Sequence, residues 1–218
     1  MAIRSIAVIN PKGGSGKTTI ATSLAAHLCF EGFQPALLDL DPQCSASDWL
    51  AQRPADLTPV GQAQAVYKNE ILKKVRLPKA CDALIIDTPA GLAEHNLKLV
   101  LKQAQSIIIP LVPSPIDMRA AWRFLQQLVA MKAIVKGKNK VALVANRCKT
   151  RTMIFRELTG FMDGYRFPVI ARLRETQNYI RAAEGGMGIS ELPSWQAWQD
   201  WEEWEPLMHW LKSSDSTP

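Results

Sequence analysis

A chain of 218 residues, 47% of them hydrophobic, is long enough to bury a substantial core and falls within the size of one domain. Its apolar stretches are broken by Pro110, Pro113 or charge, well short of the roughly 20 residues that a membrane span requires. The net charge of +6 is uneven: residues 119–181 hold fourteen Lys/Arg against three acidic residues, a local +11, while the remainder stands at −5.

The N-terminus, MAIRSIAVIN, enters an apolar strand with no basic stretch, long apolar run or small-residue cleavage site, so a cytoplasmic chain without a secretory signal is expected. From there, apolar β-branched runs alternate with helical patterns. RSIAVIN precedes TTIATSLAAHLCFEG, PALLDLD precedes SASDWLAQ, and DALIIDTPA precedes EHNLKLVLKQA. SIIIPLVPS then leads into one long pattern, MRAAWRFLQQLVAMKAIV; KVALVANR leads into MIFRELTGFM, and FPVIA into QNYIRAAEGG. Strands apolar on both faces and separated by helices predict an α/β fold: a doubly wound, mostly parallel sheet with helices on both faces, here as one domain over 1–218. Gly32 and Gly137 fall just after helical runs, where a left-handed cap is wanted. Residues 53–67 read either as a loop or as a short edge strand. Cys29, Cys44, Cys81 and Cys148 are widely spaced with no C-x-x-C, which predicts reduced thiols rather than a zinc or redox site.

Between the first strand and the first helix stands NPKGGSGKTT. Gly13, Gly14 and Gly16 allow backbone N–H groups to turn toward phosphate oxygens, at the positive end of the following helix. In such a loop Lys17 lies against the β/γ-phosphates and the Thr18 hydroxyl binds Mg²⁺. Lys12 sits at the other end of the loop, where a second charge on the same phosphates would be redundant, and service to a second nucleotide is the more economical role.

These residues resemble the deviant Walker A motif, K-G-G-x-G-K-T-T, of the ParA/MinD family of partition and positioning ATPases. The resemblance implies a P-loop NTPase fold with ATP and Mg²⁺ as cofactors, and Ser15 and Thr19 join the nucleotide-binding loop. It also implies a homodimer in the ATP state, with two nucleotides sandwiched between protomers and Lys12 of each reaching the other's phosphates. ALLDLDPQ is similar to the family's D-x-D-P-Q segment, which implies that Asp41 positions the attacking water and that Asp39 lies near the metal. Four apolar residues ending in Asp87 form the pattern of a Walker B strand, whose carboxylate holds Mg²⁺ directly or through water. VALVANR resembles the strand whose terminal Asn-Arg pair lies near the adenine, giving Asn146 and Arg147 as nucleotide contacts. IIIPLVPSPIDMRAAW and FPVIARLRETQNYIRAAEGGMGI extend the resemblance to roughly residues 3–190.

Function within that family turns on partners. TPAGLAEHN has no cysteine beyond the Walker B strand to hold an iron–sulfur cluster, and the absence of C-x-x-C speaks against a cluster scaffold. The basic stretch favours sequence-independent DNA binding, with Lys149, Arg151, Arg172, Arg174 and Arg181 as candidates and Arg147 shared with the nucleotide. No helix-turn-helix extension precedes the core, so operator reading is not expected. The resemblance thus implies a slow, nucleoid-associated ATPase, stimulated by a ParB-like cargo adaptor, that positions a plasmid or a protein assembly such as the carboxysome. The alternatives are a MinD-like membrane-associated ATPase and a metabolic ATP-dependent enzyme of the same fold.

The tail, residues 193–218, bears on the membrane alternative. Trp195, Trp198, Trp201 and Trp204 recur every three residues and drift around a helix, and the segment from Trp195 to Lys212 carries a net −3, which anionic lipid repels. No membrane partner is expected. Pro206 fits the first turn of a new helix, so the tail is predicted as two short helices packed on the core or on a partner, with an adaptor-docking patch as the other reading.

Overall fold

The computed structural model describes residues 4–149, 152–164 and 166–213. Seven strands form one parallel sheet: β1 (Arg4–Val8), β2 (Pro35–Asp39), β3 (Gly61–Gln62), β6 (Ala83–Asp87), β7 (Ser106–Leu111), β8 (Lys140–Cys148) and β9 (Val169–Arg174). Their order is β3-β2-β6-β1-β7-β8-β9, and every neighbouring pair is parallel. After β1 the chain moves to one side of the sheet, returns through β6 beside β1, and continues to the other side. That reversal opens a crevice beyond the carboxyl end of β1, where ligands of open α/β sheets bind. The fold is therefore the doubly wound α/β sheet expected from the alternating runs.

The strands are apolar on both faces because both are covered. Ile6 and Val8 of β1 belong to one core, with α1 (Lys17–Phe30), α2 (Ser45–Gln52), α7 (Gln177–Glu184) and α8 (Ser194–Lys212). Ala7 and Ile9 belong to the other, with α3 (Glu94–Gln103), α4 (Pro115–Ala130) and α6 (Met153–Asp163). Helix α1 lies deepest. Its run of Ala21, Thr22, Ser23, Leu24, Ala25 and Ala26 is buried, and the small residues let neighbours approach closely. A Cβ added at Gly188 would collide with the Cβ of Ala26.

Three elements differ from the sequence reading. The long helical pattern from Met118 breaks at Met131, whose ψ of 134° is extended, leaving α4 and a single turn, α5 (Lys132–Val135). The ambiguous stretch contains the edge strand β3 and then the start of an antiparallel hairpin, β4 (Gln64–Lys68) and β5 (Ile71–Arg76), outside the main sheet. Its two-residue turn places Asn69 and Glu70 at φ 51° and 61°, the left-handed pair of a type I′ turn.

The tail is one 19-residue helix, α8, with Pro206 inside it, and not two short helices. An interior proline costs about 3 kcal/mol. Here buried Trp204, Leu207 and Met208 flank it, and burial of each large apolar side chain contributes roughly 1.5–3 kcal/mol. Packing outweighs the local break. Gly32 and Gly137 have φ of 85° and 62°, as expected of left-handed caps.

Candidate functional site

The loop after β1 is pinned at its start. Asn10 is buried; its Nδ2 donates to the carbonyl of Pro110 (2.5 Å) in β7, a strand paired with β1, and its Oδ1 accepts from the Lys12 N–H (2.8 Å). Sequence reading passed over Asn10, although an asparagine ending an apolar strand just before the loop was the available signal. At the far side, Asn146 at the end of β8 donates from Nδ2 to the Ser15 carbonyl (2.8 Å). Gly16 stands at φ 87°, and a Cβ there would collide with the Asn146 amide, so both backbone and packing require glycine. Gly14 is also left-handed, at φ 77°. Gly13 has neither constraint: a Cβ there would stand in open space. Gly16 caps α1 without a side-chain bond, leaving the first N–H groups of that helix open to an anion.

The two lysines of the loop behave differently. Lys17 is buried, and its Nζ donates to the Lys12 carbonyl (3.0 Å). Burial lowers its pKa against the pull of Asp87 and Asp41, so the three charges share one site. Lys12 serves the loop through its backbone, with its carbonyl also accepting from Ser15 Oγ (3.3 Å). Thr18 and Thr19 open helix α1, and Thr18 Oγ1 donates to Asp87 Oδ2 (2.7 Å).

Asp87 ends β6 fully buried, and its Oδ1 has no hydrogen-bond partner among the described residues. Burial pushes its carboxyl up to about 7, against the Thr18 hydrogen bond. A desolvated, half-satisfied carboxylate beside a threonine hydroxyl gains most from a hard cation, so the donor set fits Mg²⁺.

Asp39 and Asp41 follow at the carboxyl end of β2. Asp39 is already engaged: Oδ1 accepts from the Asp41 N–H (3.0 Å), and Oδ2 accepts from the N–H (2.8 Å) and Oγ (3.0 Å) of Ser47 in α2. It therefore supports the Asp41 turn and the start of α2, and as the register partner of Asp87 across β2 and β6 it stands beside the carboxylate that fits Mg²⁺. Asp41 lies just past the strand, with Oδ1 accepting from the Gln43 N–H (3.0 Å).

The remaining sequence candidates scatter. Arg147 takes a left-handed φ of 54° in a bulge of β8 and bonds Glu175 (2.8 Å), which also holds Lys149 (2.8 Å). Arg172 and Arg181 are exposed, and Arg151 lies outside the described residues. Arg174 is not a free cation for DNA: it grips the fully buried carboxylate of Asp200 in α8 (2.5 Å and 3.2 Å), while its N–H donates to Glu203 (2.7 Å). Asn178 Nδ2 completes that site on Asp200 (2.7 Å), a network invisible in sequence because its members lie on three separate elements.

Residues 6–189 match the CobQ/CobB/MinD/ParA nucleotide binding domain. The chain is 27% identical over 194 residues, covering 86% of it and 87% of the relative, to the maintenance of carboxysome distribution protein A of Halothiobacillus neapolitanus. It is 26% identical over 141 residues to protein ParA of Rhizobium radiobacter, covering 64% of this chain and 62% of that one. The solved structure of a plasmid partition protein from Borrelia burgdorferi bound to AMPPNP superposes with a TM-score of 0.67 at 16% identity, over 96% of this chain and 99% of that chain. With its phosphate loop between β1 and α1 and its acidic strand ends beside it, the chain belongs to the CobQ/CobB/MinD/ParA nucleotide-binding family.

Proposed function

We propose that this protein is a ParA-type positioning ATPase that dimerises on ATP, holds non-specific nucleoid DNA as a dimer, and moves a cargo through an adaptor that stimulates hydrolysis. Its similarity over most of its length to a carboxysome distribution protein supports a protein assembly as cargo, with a plasmid as the other case.

The observation that carries the reading is the division of the loop between its two lysines. Lys17 is buried beside Asp87 and Asp41, whereas the loop uses Lys12 through its backbone. In this reading Lys17 and the open N–H groups of α1 take the β/γ-phosphates, and Thr18 and Asp87 hold Mg²⁺. The ion, when bound, neutralises phosphate charge. Asp41, held by Asp39, orients the attacking water, and Asn146 sets the loop at the nucleotide's edge. The Lys12 ammonium is then available to a partner protomer's phosphates.

Retention on random-sequence duplex DNA tests the proposal, with ATP, ADP or no nucleotide, at two salt concentrations. Binding only with ATP that weakens steeply as salt rises is expected. A membrane reading draws on exposed Trp195 and Trp198, 80% and 57% accessible, although no helix among the described residues is long and apolar enough to cross a bilayer. Binding to anionic vesicles without retention on DNA would favour it.

A further inference from the structure

The basic stretch at 119–181 is less available than its charge suggests. Arg174 is held by Asp200, and Arg147 and Lys149 by Glu175, while Lys140 donates to the Trp210 and Ser213 carbonyls at the end of α8. Among the described residues Arg172 and Arg181 stay exposed there without an ion pair, and a second, compact group of cations lies outside the stretch. Along the β4–β5 hairpin and its exit, Lys68, Lys73, Lys74, Arg76 and Lys79 are all exposed, with Glu70 the one acidic residue from 64 to 79. Among the described residues none of these five cations is in an ion pair.

The hairpin's geometry concentrates that charge. Val66 pairs with Lys74, but the next residue, Tyr67, pairs with Leu72, so Lys73 is the extra residue of a β-bulge. In a regular strand, consecutive side chains point to opposite faces. The bulge lets Leu72 and Val75 face the core while Lys73 and Lys74 both stand in solvent, with Arg76 beyond them. The ribbon is also held rigidly: the Leu72 N–H donates to Asn96 Oδ1 (3.0 Å) of α3, and Asn96 Nδ2 donates to the Glu70 carbonyl (3.3 Å).

We propose that the β4–β5 ribbon is a duplex-DNA contact surface, with Lys73, Lys74 and Arg76, assisted by Lys68, holding phosphate oxygens. The inference rests on the DNA-binding reading above and names a surface for it outside the basic stretch. A two-stranded ribbon is of a width that the major groove, about 12 Å across, admits, and contacts confined to phosphates carry no sequence preference. Tyr67, with Leu77 at the exit, makes up its exposed large apolar surface, too little for insertion into lipid.

The test is anisotropy of a labelled random-sequence duplex with ATP across a salt series, comparing the full chain with its Lys73→Gln/Lys74→Gln/Arg76→Gln variant. A labelled ATP analogue verifies that the variant still binds nucleotide. Affinity should fall at least ~10-fold at moderate salt, and the log–log salt slope by about 2 to 3, close to one per lost phosphate contact. Equal affinity and slope in both proteins would overturn the ribbon while leaving DNA binding intact. A change seen only with phosphatidylglycerol vesicles would reassign the ribbon to a membrane surface and overturn it as well. No duplex binding by the unaltered chain would remove the underlying reading together with the ribbon.

Discussion

Lys12 and Lys17 both border the glycine loop, yet the loop holds the first by its backbone and the second by its ammonium. Lys17→Ala should therefore weaken ATP binding at least ~30-fold, about 2 kcal/mol for a truncated, hydrogen-bonded charge, in a titration with labelled nucleotide. Lys12→Ala should keep ATP affinity and lose the ATP-induced dimer; equal loss of binding in both variants would end the division of roles. Asp41→Ala should slow turnover by roughly 100-fold or more while ATP stays bound, which single-turnover phosphate release would register. The thiols give an independent check on the packing. Burial pushes Cys29 up to about 11 and Cys148 up to about 12, so at pH 8 both remain protonated, while Cys44 is exposed. A thiol reagent should label Cys44 quickly and reach Cys29 and Cys148 only on unfolding, as peptide mapping would show. At this scale the glycines, Lys17, Thr18 and Asp87 could be read from sequence because their spacing is tied to one local turn and one strand end. The partner of Arg174 could not, since Asp200 lies 26 residues further on, in another element.

Element by element, α8 best illustrates packing overriding local preference. Its proline predicts a break, but Trp204, 1% exposed and donating from Nε1 to the Tyr179 hydroxyl (2.9 Å), fastens the helix to α7. Trp204→Ala should cost about 3–5 kcal/mol in denaturant unfolding. Arg174→Ala should cost about 3 kcal/mol, because it leaves the buried Asp200 carboxylate with Asn178 alone; the figure sits at the low end since Arg174 is 31% exposed. A loss below ~1 kcal/mol would mean that the latch between β9 and α8 does not form. The hairpin was illegible for a different reason. Its Asn69-Glu70 turn lacks the glycine that usually marks a type I′ pair, and the bulge at Lys73 breaks the alternation by which a strand is recognised.

For the whole molecule, the alternating apolar runs were sufficient to read the parallel sheet, because strands such as β1 must be apolar on both sides when helices cover both faces. The same topology converts scattered motifs into one site. Ends of β1, β2, β6 and β8 bring Lys17, Asp41, Asp87 and Asn146 to one edge of the sheet. What no linear pattern conveyed is the disposition of charge: four cations of the basic stretch are bound within the protein, and a separate ribbon carries unpaired ones. If ATP sets the assembly state, the solution mass with ATP or ADP, in the absence of DNA, should register it in light scattering. A dimer with ATP and a monomer with ADP is the expected result; the same mass with both nucleotides would mean that ATP does not drive dimerisation.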